Sequence, residues 1–78
     1  MSTTAARVQT IIATAFGVPA SDVLPNVKLT ELGADSLDYI ELAMEIEDEF
    51  GIEIGDDAIA EAATVGQWIE IVERLGGE

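Results

Sequence analysis

The 78-residue chain sets 16 acidic residues against 3 basic ones and has no histidine, a formal net charge of −13. That field argues against nucleic acid or anionic membrane as a partner and for proteins with basic surfaces. The absence of cysteine excludes disulfides, Cys-ligated zinc and thiol nucleophiles, while 49% hydrophobic residues separate the chain from an acidic disordered tail, which cannot build a core. A single domain over 1–78 is expected, too small to enclose a deep catalytic cleft. No apolar run approaches the roughly 18 residues that span a bilayer, and "MSTTAARVQT" lacks the basic-then-apolar order of a signal peptide. A soluble, cytoplasmic monomer without membrane insertion is the expectation.

The first segment, "TTAARVQTIIATAF", places Val8, Ile11, Ile12, Ala15 and Phe16 on one helical face, with Thr3 or Thr4 as candidate N-cap and Gly17 as the stop. Between Gly17 and Ala34 the periodicity fails at Pro19 and Pro25, yet Val23, Leu24, Val27, Leu29 and Leu32 recur. A loop of this length inside a small domain is unusual, and its apolar residues predict that it packs down, with one helical turn near Ala20 to Val23. The second helix is predicted from Ser36 to Phe50, capped by Asp35, with Asp38 at the third helical position and Gly51 as the stop. "GDDAIAEAA" predicts a short third helix from about Asp56. "TVGQWIEIVERLGG" predicts a fourth, capped by Thr64 and ended by Gly76-Gly77, with Val65, Trp68, Ile69, Val72 and Leu75 on one face. The expected fold is all-α: a four-helix bundle of three longer helices and a short third one, with a long loop between helices one and two.

On a wheel of about 100° per residue, the second helix has two apolar faces. Tyr39, Leu42, Ala43, Ile46 and Phe50 form a broad arc suited to the core. Leu37, Ile40 and Met44 form a narrower arc nearly opposite, beside Glu41, Glu47 and Asp48. Isolated surface hydrophobes are ordinary; a stripe of them ringed by acids is also what a docking surface for a basic partner requires.

"GADSLD" sets Ser36 at the start of this helix. Three roles are open to it. It could help cap the helix, although Asp35 already fills that position. It could be a nucleophile, but that needs a base within hydrogen-bond reach, and without histidine only carboxylates and the sole lysine, Lys28, remain. It could be presented for modification by another enzyme, where a phosphoester would sit at the positive end of a helix.

The segment "LGADSLDYIELAMEIEDEFGIEI" resembles the central region of acyl carrier proteins: D-S-L at a helix start, then E-L-x-M, an acidic run closed by E-F, and E-I. The likeness extends more weakly from the I-I of the first helix to "TVGQWIEIVE" in the last. It implies that Ser36 carries 4′-phosphopantetheine, installed from coenzyme A by a phosphopantetheinyl transferase that supplies the activating base, and that acyl groups ride as thioesters on the arm's thiol. The missing cysteine is then no loss, and no catalytic residue and no resident metal are expected. The implied docking surface comprises Asp35, Leu37, Asp38, Ile40, Glu41, Met44, Glu47 and Asp48, read by the transferase and by acyl-transferring and ketoacyl synthase type enzymes with basic docking surfaces. The pathway would be fatty acid or related lipid or polyketide biosynthesis, and the bundle can shelter a short acyl chain in this family. Against the common fatty-acid-synthesis pattern, Tyr39 is bulkier, Gly55 stands where proline is frequent, Ala62 replaces a larger aliphatic and Trp68 occupies a usually small position. The last two are expected to compensate in volume, and the four departures lean toward a specialised carrier.

A peptidyl carrier is the nearest alternative, though those usually show Gly-Gly before the serine motif and are less acidic. An acidic interaction or cation-binding protein is the other. "EDEFGIEIGDD" fails the ligand spacing of an EF-hand, but Glu47, Glu53 and Asp56 are candidates for loose counterion binding. Carboxylates crowded along the second helix and in "EIGDD" should repel in the folded state, so salt or divalent cations are expected to stabilise it.

Overall fold

The computed structural model describes residues 3–76. Among them are four α-helices, α1 (Thr3–Phe16), α2 (Ser36–Phe50), α3 (Asp56–Glu61) and α4 (Val65–Gly76), and two 3-10 turns at Ala20–Asp22 and Leu29–Leu32. No sheet forms among these residues; one isolated antiparallel bridge joins Lys28 to Thr64. The expected all-α bundle is the observed architecture. α1 packs against α2 and α4, and α2 against α3 and α4.

The core follows from the apolar faces. Val8 and Ile12 of α1, Leu42 and Ile46 of α2, and Val65, Trp68 and Val72 of α4 are fully or almost fully buried, joined by Val23 and Leu29 from the long loop. Two residues assigned to core faces lie elsewhere. Ala15 is exposed while Ala13 is buried, because α1 faces both α2 and α4 and its buried arc is turned toward Ala13. Leu75 remains 47% exposed, whereas Ile71, three residues beyond Trp68 on the same face, is buried; the last turn of α4 runs past the core. α1 already includes Thr3 and Thr4, so neither is the residue in front of it, and the preceding position lies outside the described residues. Gly76 is the last residue of α4, and Gly77 lies outside the described residues.

The loop between α1 and α2 is held by hydrogen bonds as well as by its apolar side chains. Leu29 N–H donates to the Ala63 carbonyl at 3.0 Å, Val65 N–H to Val27 at 3.0 Å and Gly66 N–H to Pro25 at 2.9 Å. Loop carbonyls thus accept from two N–H groups that the first turn of α4 cannot satisfy internally. A Cβ at Gly66 would stand 3.0 Å from the Pro25 carbonyl oxygen, so the close approach depends on glycine there. Gln9 Nε2 donates to the Val23 carbonyl at 2.8 Å, fastening the same loop to α1. At the far end of α2, Arg7 bonds Glu49 Oε2 at 2.7 Å and lies 4.3 Å over the Phe50 ring.

Candidate functional site

The start of α2 is built by local chemistry. Asp35, in extended conformation, caps the helix: its Oδ1 accepts from Asp38 N–H at 3.0 Å, and Asp38 Oδ2 accepts from Asp35 N–H at 3.0 Å. This reciprocal box holds both carboxylates and fixes the helix entry. Ser36 is therefore the first residue inside the helix, and not its cap. It is exposed, and its hydroxyl makes no hydrogen bond among the described residues. No base is bonded to it, as a nucleophile would need. The N–H groups of Ser36 and Leu37 are likewise without partners among the described residues, so two donors at the positive end of the helix are open to an anion.

Ser36 also lines an open, largely apolar groove of about 470 Å³ between α2 and α3, with Ala34, Tyr39, Ile40, Ile59 and Ala60 among its walls. Tyr39 reaches inward: its ring meets Trp68 edge-on, with centroids 6.4 Å apart and planes at 64°. Trp68 is fully buried and donates from Nε1 to the Ala62 carbonyl at 3.0 Å. Ala62 is itself buried, and the two positions are joined through the Ala62 backbone carbonyl.

The stripe on the outer face of α2 is present as a surface. Leu37, Ile40 and Met44 are 61%, 52% and 60% exposed, too much for any share in the core. Glu41 and Asp48 are exposed and carry no hydrogen bond or ion pair among the described residues. Glu47 differs: it is half-buried, and its Oε2 accepts from Ile54 N–H at 2.7 Å. Asp35 and Asp38 sit beside Ser36 with their carboxylates engaged in the box. Among the described residues no three acids gather closely enough to hold a metal ion, Glu47, Glu53 and Asp56 included, and the Glu47 carboxylate turns to the Ile54 backbone. On the α3 side of the groove, Asp56 was singled out in the sequence only as a helix start and counterion candidate, and Ile59 and Ala60 not at all; their only signal was the apolar content of "DDAIAEAA", which names no partner.

The family model described as the phosphopantetheine attachment site matches residues 6–72. The chain belongs to that family. It is a phosphopantetheine-bearing carrier domain, a cofactor-bearing protein rather than a catalyst. Carrier domains are modified by phosphopantetheinyl transferases and serve synthase enzymes. The match spans all four helices except the ends of α1 and α4, so the groove and the surface of α2 both lie within the carrier domain. No helix is long and apolar enough to cross a membrane among the described residues.

Proposed function

We propose that this carrier domain is an acyl carrier in which Ser36 bears the 4′-phosphopantetheine. The observation that carries the reading is the setting of Ser36: an exposed, unbonded hydroxyl on the first residue of α2, beside two open helix-start N–H groups and at the edge of an apolar groove. An exposed hydroxyl suits attack on coenzyme A within a transferase that supplies the base. The open N–H groups suit the phosphodiester that results, and the groove suits an apolar cargo. The arm supplies the thiol on which acyl groups are held as thioesters. The chain's own contribution is to fix the attachment point and to present the α2 surface.

That surface supports an acyl over a peptidyl carrier through charge. Leu37, Ile40 and Met44 offer apolar anchors, and Glu41 and Asp48, uncommitted among the described residues, steer basic partners such as the transferase and acyl-transferring or ketoacyl synthase type enzymes. Steering speeds association without tight binding, which suits a carrier that must release each enzyme. The domain works as a cytoplasmic monomer over residues 1–78, in fatty acid or related lipid or polyketide biosynthesis.

Incubation with coenzyme A and a broad transferase, read by intact mass, tests the reading. The parent chain is expected to gain one arm and Ser36→Ala none; modification of the alanine variant would remove the assignment. Supplying acyl- and aminoacyl-charging enzymes to the loaded protein separates the two carrier classes, and preferential aminoacylation would overturn the acyl reading.

A further inference from the structure

The groove and the core lie back to back, divided by one pair of rings. Tyr39 is half-buried and lines the groove; behind it stands Trp68, the largest fully buried side chain of the described residues. Trp68 is fastened on two sides, by the bond from Nε1 to the Ala62 carbonyl at 3.0 Å and by the edge contact with Tyr39. Moving it aside would leave a buried carbonyl and an indole N–H unpaired, and would open a void in a close-packed core. The opposite wall is different in kind, because α3 contributes no fully buried residue.

Resting on Ser36 as the attachment point, we infer that Trp68 sets the length of acyl chain this carrier can shelter: braced against Tyr39, it closes the bundle interior and keeps the cargo in the α2–α3 groove. Methylenes that fit the groove leave water and stabilise the loaded protein. Methylenes beyond it stay solvated and add nothing. A small side chain at this position would extend the groove inward and let the interior take more of a long chain.

The test loads the protein from butyryl-, octanoyl-, dodecanoyl- and hexadecanoyl-coenzyme A, verifies each product by intact mass, and then reads the thermal midpoint, the lifetime of the thioester toward hydroxylamine and the emission of the single tryptophan. In the parent chain, midpoint and lifetime rise from butyryl to a medium chain and then level off, with tryptophan emission unchanged. In Trp68→Leu they continue to rise to hexadecanoyl, whose thioester survives several-fold longer than in the parent. Ala60→Trp, which fills the groove from an exposed position, shortens the lifetime at every length. A parent chain whose lifetime keeps rising to hexadecanoyl, with a shift in tryptophan emission, overturns the inference even if Trp68→Leu does not fold. So does a folded Trp68→Leu with the parent's plateau, or an Ala60→Trp that protects as well as the parent. A parent chain that gains no mass overturns the Ser36 reading itself, and is distinguished because mass is read before length is varied.

Discussion

α3 and α4 follow one another across residues 62–64, yet they are held in opposite ways. α3 has six residues, begins after Gly55 with no side-chain cap and buries none of its residues fully; Ala58 and Ile59 are half-buried against the core. α4 has twelve residues, five of them buried. Its start is boxed by Thr64 and Gln67, with Thr64 Oγ1 accepting from Gln67 N–H at 3.2 Å and Gln67 Oε1 accepting from Thr64 N–H at 2.9 Å. The loop carbonyls of Pro25 and Val27 complete it. The groove beside Ser36 therefore has one wall that is part of the core and one that rests on it. Lightly packed elements are the ones that open at low free energy, so α3 is expected to open more readily than α2 and α4.

The comparison breaks most directly at the core. Trp68→Ala should lose about 3–5 kcal/mol, a large part of the stability of so small a domain, whereas Ile59→Ala on α3 should lose about 1 kcal/mol; urea denaturation of both decides. Equal losses would mean that α3 is as integral as α4. Hydrogen exchange sharpens the same contrast: amides of α3 should exchange at least about tenfold faster than those around Trp68 and Val72. The loop's grip on α4 is tested by Gly66→Ala. Alanine is worth up to about 1 kcal/mol in a helix interior, but the Cβ meets the Pro25 oxygen and overpacking costs about 1–3 kcal/mol, so a net loss of about 1 kcal/mol is expected in chemical denaturation. A gain would show that the loop yields freely.

The smallest expected effect is that of salt. Only Arg7 forms an ion pair among the described residues, with both partners about half exposed (45% and 50%), so it does little to offset a charge of −13. Raising sodium chloride should raise the thermal midpoint by a few degrees through screening. Magnesium at matched ionic strength should add nothing more, because no three acids gather among the described residues. A magnesium-specific rise would reveal a cation site.

What was legible in the sequence was what is local in space. The Asp35–Asp38 box, the Ser36–Phe50 span and the stop at Gly51, whose φ of 65° glycine adopts without strain, all depend on atoms within a few residues. So does the Thr64 cap, although Gln67's part in it was not foreseen. The core face of α2 was legible although α2 packs against three other helices; the faces of α1 and α4 were misread at Ala15, which is exposed, and at Leu75, past the end of the core. The packing of the long loop was foreseen from Val23, Leu24, Val27, Leu29 and Leu32, of which Leu24 in fact stays exposed; not foreseen were the 3-10 turn at Leu29–Leu32 and the bridge from Lys28 to Thr64, which joins segments far apart in the chain. The groove was legible only on its α2 side: Ser36 and Ile40 carried signals, while Ile59 and Ala60 acquire meaning only when α3 is folded against α2. The departures at Ala62 and Trp68 were visible, but not the hydrogen bond between them.

The bond from Ile54 N–H to Glu47 gives one acid on the α2 surface a structural task besides the steering proposed for that surface: its oxygen anchors the turn that leads into α3. An alanine scan of α2 scored only by transfer rate would count Glu47 as a contact residue even if no enzyme ever touched it, because freeing Ile54 slackens the wall of the groove. Glu47→Gln separates the two, keeping an acceptor for Ile54 and discarding the charge: a variant that transfers slowly but melts like the parent places Glu47 among the steering acids, and one that transfers normally marks it as scaffolding.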